Sequence, residues 1–268
     1  MSVRLYNYQL YISREVVHFY ITITKLNKMG LIDNLASKLL NKAVIVHKSK
    51  IADNTFHIRI HSSGLKSTEY VPGYFLRIFC GMGMSVNLKD KIRSYSVWYF
   101  DRRAETIDIA VCTHSNGPGS KWAQDCAVGD TIYFGWHKGK FIVDQSADSY
   151  VLVGDTSALG HLYEIYRNLS VSKKIYGFVY AENEKDIFPD IDGSKPFQFL
   201  QLAANPGQRL VQSIDATARQ ISGSSMVYVG GDSRSCVQLN QYFKKELNWN
   251  SEQIKAKPFW NPDKTGLE

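Results

Sequence analysis

The period of the hydrophobic pattern changes once along this chain, and that change restricts the fold to two kinds of sheet. Between residues 43 and 145, apolar and polar residues alternate with a period of two, in short segments separated by turn residues. This pattern is typical of antiparallel strands with one buried face. From residue 149 onward, apolar runs alternate with segments of helical spacing, which predicts a parallel sheet covered by helices on both faces.

The predicted elements fill both parts of the chain. The first part has the strand pattern at 44–47, 56–61, 74–79, 94–99, 107–111, 131–134 and 140–143. Because a barrel leaves no exposed sheet edge, a closed or nearly closed antiparallel β-barrel is expected there. The second part has predicted strands at 150–153, 175–180, 197–202 and 226–229, with helices near 158–168, 207–221 and 234–247. We therefore divide the chain into an N-terminal extension and helix (1–42), a β-barrel domain (43–147) and a Rossmann-like α/β domain (148–268).

The amino-terminal extension gives little information about function. Its first 28 residues alternate loosely, and Arg14, Glu15 and His18 interrupt any signal-peptide core. Helical spacing begins at Met29, which predicts a helix up to about residue 40 and makes Met29 a candidate start.

Charge and cysteine content narrow the class of protein. Lys and Arg outnumber Asp and Glu by 32 to 25, so the formal charge is +7 and anionic partners are favoured. No basic tract or RNA-binding motif indicates a nucleic acid, and no run of about 18 uncharged apolar residues predicts membrane insertion. The four cysteines are widely spaced, which indicates reduced thiols in the cytoplasm. His57 and His61 share a predicted strand face but lack a third ligand, so no metal site is expected.

Two motifs carry a family resemblance. Arg93-Ser94-Tyr95-Ser96 lies on a predicted strand, and a second block, His-Ser-Asn-Gly-Pro-Gly-Ser-Lys-Trp-Ala, begins at His114. With these two blocks the chain resembles the siderophore-interacting protein family, FAD-dependent ferric-siderophore reductases related to ferredoxin-NADP reductases. Further blocks support the resemblance, namely Gly129-Asp130, Gly154-Asp155-Thr156-Ser157-Ala158-Leu159, Gly230-Gly231-Asp232 and Phe259-Trp260. The resemblance implies an FAD-binding barrel followed by an NAD(P)-binding-type domain.

The resemblance also implies roles for the first two blocks. Alternation along a strand places Arg93 and Tyr95 on one face, where Arg93 would pair with the FAD pyrophosphate and Tyr95 would lie against the isoalloxazine ring. Ser96 would lie near the flavin N5 edge. The glycine-rich turn would open a short helix with Ser120 as N-cap, and helix N-termini suit phosphates. The residues expected to bind the cofactor are Arg93, Ser94, Tyr95, Ser96, His114, Gly117, Gly119, Ser120, Trp122 and Trp260.

The remaining blocks are assigned to the electron donor and the iron substrate. Ligands of open α/β sheets bind beyond the carboxyl ends of the strands, where the resemblance implies NAD(P)H or reduced ferredoxin. The expected donor-site residues are Asp155, Thr156 (also the expected helix N-cap), Ser157, Gly231 and Asp232. Gly160, Phe197 and Phe199 depart from the family pattern in this half. For an anionic ferric siderophore, the expected cations are Arg77, Lys138 and Lys257, with Lys140 as a weaker candidate.

The function expected from these observations is cytoplasmic reduction of Fe(III) to Fe(II) within an imported siderophore. The cofactor would carry the electrons, so no catalytic side chain beyond the flavin is expected. Two alternatives stay open: a general NAD(P)H-dependent flavin or quinone reductase on the same fold, and a non-catalytic flavoprotein that binds siderophores.

Overall fold

A computed structural model describes residues 40–80, 92–113 and 117–264 of the chain. The predicted helix after Met29 and the candidate cofactor ligand His114 lie outside the described residues. No helix of the described part is long and apolar enough to cross a membrane.

The first part of the chain forms one seven-stranded antiparallel sheet. Its strands are β1 (Asn41–Ala52), β2 (Thr55–His61), β3 (Phe75–Phe79), β4 (Ile92–Ser96), β5 (Tyr99–Asp101), β6 (Thr106–Cys112) and β7 (Thr131–His137). Their order is β4-β3-β7-β1-β2-β6-β5, so the two end strands are consecutive in the chain. Val97 and Trp98 join them, and the Trp98 N–H donates to the Asp108 carbonyl on β6 (2.8 Å). The sheet is therefore curled into the nearly closed barrel that the sequence predicts.

The alternation of side chains places an aliphatic core inside this barrel. Ile58 faces Ile109 across the β2–β6 pair, and both are fully buried. The outward residues of β2 are polar. His57 contacts the buried carboxylate of Asp108 through Nε2, and Arg59 donates to the same oxygen (2.8 Å). His57 is thus held by a hydrogen bond to Asp108 on the outer face of the barrel.

The second part forms a five-stranded parallel sheet. Its strands are β8 (Ser149–Asp155), β9 (Lys174–Ala181), β10 (Gln198–Gln201), β11 (Ser225–Asp232) and β12 (Ile254–Trp260), in the order β10-β9-β8-β11-β12. Helix α1 (Pro118–Asp125) belongs to the first part, and the helices of the second part are α2 (Leu159–Asn168), α3 (Gln208–Gln220) and α4 (Ser233–Gln241). Every residue of β8 and β11 is buried, which explains their continuous apolar runs. The chain changes direction across the sheet between these two strands, so their carboxyl ends form the topological switch point.

Two strand predictions were wrong, and one strand was not predicted. Residues 140–143 form no strand, because this segment connects the two sheets and its carbonyls accept from side chains. His161 bonds to the Phe141 carbonyl and Tyr228 to that of Ile142, at 2.8 and 2.9 Å. The predicted strand 94–99 is divided at Val97. The strand that was not predicted is β12, at the edge of the second sheet, where two lysines and a proline interrupt the apolar pattern.

A buried polar network holds the two sheets together. On α2, Glu164 accepts from Tyr70 of the barrel part, and Arg167 donates to Glu164, both at 2.5 Å. Arg167 also contacts Asp190 and the backbone carbonyl of Trp98. The indole N–H of Trp98 in turn donates to Asp190 (2.8 Å). Because both carboxylates are almost fully buried, this network fixes α2 against the barrel.

Candidate functional site

The two motif blocks meet where β4 packs on the helix α1 (Pro118–Asp125). A Cβ added at Gly119 would collide with the Tyr95 hydroxyl and lie 3.2 Å from Cγ of Arg93. Arg93 and Tyr95 therefore share one face of β4, as strand alternation predicts. Glycine is needed at position 119 because a larger residue would push the helix away from them.

The amino terminus of α1 differs from the prediction. Ser120 was expected as the N-cap, but the N-cap is Gly117 and the helix begins at Pro118. Proline suits this first position because its fixed φ is already helical and its missing N–H is not needed there. Within the described ranges no side chain caps this end, and the first turn of the helix lies beside the buried Arg93. The ring of Trp122 lies 5.6 Å from that of Tyr95.

The last residue of the motif strand reaches the second sheet. Ser96 Oγ lies 2.8 Å from Nδ1 of His161, and Nε2 of the same ring lies 2.8 Å from the Phe141 carbonyl oxygen. His161 is 1% exposed. Burial, together with the charge of Lys257 nearby, lowers the pKa of His161 to about 3, so the ring is neutral.

A cluster of cations lies beside this junction. Lys257 of β12 lies over the Phe75 ring, with Nζ 4.0 Å from its centroid, and His137 stacks on the same ring. Burial and the charge of Arg77 lower the pKa of Lys257 to about 8. Burial, Arg77 and Lys257 together lower that of His137 to about 4. His137 is therefore neutral at pH 7, and we call the two cations, Arg77 and Lys257, the cationic cluster.

Among the described residues, no carboxylate pairs with the cationic cluster. Across the three described ranges, neither Arg77 nor Lys257 has an ion-pair partner, and the buried Nε of Arg77 has no hydrogen-bond partner. Arg77 faces Ser94 across the β3–β4 pair, so the cluster adjoins the motif strand. Lys138 and Lys140 are exposed just beyond the end of β7.

The expected donor residues meet at the switch point, where the Asp155 carboxylate is a hub. It accepts from the Asp232 N–H (2.7 Å), the Trp260 indole N–H (2.9 Å) and the Ser157 hydroxyl (2.5 Å). Gly231 has φ +118°, and any Cβ there would collide with this carboxylate. Asp155 at the end of β8 thus links the carboxyl ends of β11 and β12, and its partner on β12 is Trp260.

The helix caps at the switch point are only partly as expected. Thr156 was expected to cap α2, but the N-cap is Ala158, because Asp155 to Ala158 form a tight turn first. Asp232 caps α4 by accepting from the Arg234 N–H (2.9 Å), and its carboxylate also pairs with the Arg234 guanidinium.

Sequence reasoning missed three residues of the junction: Phe75, His137 and His161. None of them belongs to a sequence motif, and only their positions in the folded structure bring them to the junction. His161 follows Gly160, which departs from the family sequence pattern. A Cβ at Gly160 would lie 3.2 Å from the Trp98 Cβ, so glycine lets α2 approach the barrel closely. Ser94 is exposed, Gly117 is the N-cap of α1, and Gly119 and Ser120 lie in the first turn of that helix.

These residues fit FAD. A buried guanidinium and the amino terminus of helix α1 are groups of the kind that bind a pyrophosphate. The half-buried rings of Tyr95 and Trp122 supply an apolar surface of the kind an isoalloxazine ring needs. The close approach at Gly119 brings these groups together on one face.

The chain has the two-domain fold of ferredoxin-NADP reductases. Phthalate dioxygenase reductase has this fold, with a TM-score of 0.64 at 15% identity over 83% of this chain and 69% of that chain. The siderophore-interacting protein from Acinetobacter baumannii is similar over 83% of this chain and 90% of that chain, with a TM-score of 0.70 at 17% identity.

Family sequence patterns identify the class more closely. The pattern described as siderophore-interacting FAD-binding domain matches residues 83–140, and the pattern described as siderophore-interacting protein matches residues 147–263. The chain therefore belongs to the siderophore-interacting protein family, and FAD is its cofactor. Ferric vibriobactin reductase of Vibrio cholerae serotype O1 is 24% identical over 177 residues. That match spans 64% of this chain and 65% of the relative, so the chain covers slightly less than two thirds of its length.

Proposed function

We propose that this protein reduces the iron of an anionic ferric siderophore from Fe(III) to Fe(II), with electrons that a donor delivers to FAD. The observation that carries the proposal is the cationic cluster, which lies beside the FAD-binding motif strand and has no balancing carboxylate in the described chain. The similarity to ferric vibriobactin reductase supports the same activity.

The charges of the cluster explain how a ferric chelate would be held. Two unit charges 4 Å apart attract by about 4 kcal/mol at an effective dielectric constant near 20, before desolvation is subtracted. Because Arg77 and Lys257 are already partly desolvated in the free protein, less of this attraction is lost on binding. The exposed Lys138 would extend the positive surface toward a bulky ligand.

The chain's own residues would position the cofactor between donor and chelate. Bound FAD supplies the chemistry that accepts an electron pair and passes electrons to iron one at a time. Arg93 and the first-turn amides of α1 would hold its pyrophosphate, and Tyr95 would lie against its ring. One NADH then balances two irons: the hydride is oxidised to a proton and two electrons, and two Fe(III) become two Fe(II).

We place the electron donor at the switch point, where Thr156, Ser157 and the Gly231-Asp232 turn surround the Asp155 hub. We propose NADH as the donor that binds there, with reduced ferredoxin as the alternative. Four free cysteines support a reducing compartment, so we place the reaction in the cytoplasm.

The test is anaerobic reduction of a ferric triscatecholate by the FAD-loaded protein, followed with a ferrous-specific chelator. We expect R77A and K257A to raise KM at least tenfold for the anionic chelate and to leave turnover of a neutral quinone unchanged. The matched control is K174A, which removes an exposed lysine at the start of β9.

The outcomes separate the candidate functions. Equal loss with both acceptors would contradict the siderophore assignment and favour a general flavin or quinone reductase. FAD that stays oxidised with NADH, NADPH and reduced ferredoxin would favour a siderophore-binding protein without catalysis. A wild type that reduces no ferric chelate after photochemical reduction of its FAD would refute the proposal.

A further inference from the structure

The hydrogen bonds of His161 determine which way the Ser96 hydroxyl points. The Phe141 carbonyl oxygen can only accept, so the ring nitrogen 2.8 Å from it, Nε2, must carry the proton. A neutral imidazole has one N–H, and His161 is neutral because it is buried. Its other nitrogen, Nδ1, is therefore an acceptor.

Ser96 is the group that faces this acceptor. Its hydroxyl lies 2.8 Å from Nδ1 and carries a single hydrogen, so that hydrogen is donated to His161. The lone pairs of Ser96 Oγ are left for any other neighbour. Toward a ligand on the motif strand, Ser96 is an acceptor and not a donor.

This orientation has a consequence for a flavin. N5 of an oxidised flavin accepts hydrogen bonds, whereas N5 of a reduced flavin carries a hydrogen and donates. Hydrogen bonds near N5 are one of the means by which proteins adjust flavin electronics. A hydrogen-bond acceptor near N5 stabilises the reduced flavin, and it makes no hydrogen bond to N5 of the oxidised flavin.

We propose that His161 is a positioning residue that holds Ser96 as a hydrogen-bond acceptor, so that the site binds reduced FAD more tightly than oxidised FAD. The inference rests on the proposed function, because it places Ser96 at the N5 edge of FAD. A higher affinity for the reduced form makes the bound cofactor easier to reduce by its donor.

The packing around His161 explains how this residue holds the Ser96 hydroxyl in one orientation. His161 is on the first turn of α2, and Gly160 before it allows the helix to contact the barrel at Trp98. The rings of Phe141 and Phe259 pack at 4.9 and 5.7 Å from the imidazole and exclude water from it. The imidazole thus has no freedom to exchange its two hydrogen-bond roles.

The test is the midpoint potential of bound FAD in the wild type, S96A, H161L and H161N, with binding of oxidised FAD measured beside it. In H161L the serine hydroxyl is free to donate, so we expect the preference for reduced FAD to fall about tenfold. For a two-electron couple this is a decrease of about 30 mV. S96A should give a similar decrease, and the double variant should add nothing further.

H161N provides the conservative comparison and H61L the matched control. The Asn side-chain oxygen can still accept from Ser96, so H161N should keep most of the wild-type potential. H61L changes a histidine on β2 of the barrel and should not alter it. Potentials in S96A and H161L that equal the wild-type value, with FAD still bound, would overturn this inference alone. FAD that does not bind the wild type would overturn the proposed function as well.

Discussion

Replacing Lys257 by methionine should stabilise the folded protein while it weakens the site. Burial and the neighbouring Arg77 lower the pKa of Lys257 from 10.5 to about 8. At about 1.4 kcal/mol per pKa unit, keeping this lysine charged at pH 7 costs the folded state about 3 kcal/mol. The cation–π contact with Phe75 offsets about 2 kcal/mol of that at most. The Lys257→Met variant should therefore be more stable by about 1 to 3 kcal/mol at pH 7.

If the gain in stability comes from removing a charged lysine, it must depend on pH. A lysine whose pKa is lower in the folded than in the unfolded state destabilises the fold while it is charged. Between pH 8 and 10.5 the unfolded chain binds more protons than the folded one, so wild-type stability rises with pH. The advantage of K257M should shrink to near zero by about pH 10.5.

The assay is urea unfolding with FAD in excess, followed by tryptophan fluorescence at pH 7, 9 and 10.5. Lys174→Met is the control, because this exposed lysine should change stability by less than about 0.5 kcal/mol at any pH. A K257M variant less stable than wild type at pH 7, or a gain that does not vary with pH, would refute the reasoning.

Three further predictions follow from single groups. The wild-type kcat/KM for an anionic ferric chelate should fall as pH rises through about 8, where Lys257 loses its charge; K257R should show no such fall in a pH profile. R167L leaves two buried carboxylates without their cation and should lower the free energy of unfolding by about 3 to 5 kcal/mol, whereas the exposed control R219L should change it by less than about 1 kcal/mol. Glu182 follows β9, where an acidic residue can bind a ribose 2′-hydroxyl and repel a 2′-phosphate. The kcat/KM ratio should favour NADH over NADPH and decrease in E182S; a ratio equal in both proteins would contradict this role.

The sequence predicted the architecture because the pattern of each sheet is local. Ile58 and Ile60 alternate with polar residues on a strand that is buried on one face, and the continuous apolar run of β8 marks a strand buried on both. The segment 138–148 could not be assigned in this way. Phe141 is apolar and buried like a strand residue, but the chain passes between two sheets there, and only the tertiary structure supplies its hydrogen bonds.

The candidate site was predictable where its residues lie close together in sequence. Strand alternation alone placed Arg93 and Tyr95 on one face. The contact of Ser96, in contrast, is with a residue of the second sheet domain, because the packing of α2 brings His161 to it. No local pattern records such a contact. The helix caps were misplaced for a similar reason, because a tight turn shifts the start of α2 by two residues.

The close contact at Gly160 links two positions that will change together among relatives. A side chain at 160 would press on Trp98 and Ala110 and move the first turn of α2 outward by a few tenths of an ångström or more. A histidine at 161 would then lose its short distance to the serine of the motif strand. Chains that keep the histidine are therefore expected to keep the glycine, and chains with a larger residue at 160 to have no histidine after it. Covariation of this pair across an alignment would trace which members of the family couple their two domains through this hydrogen bond.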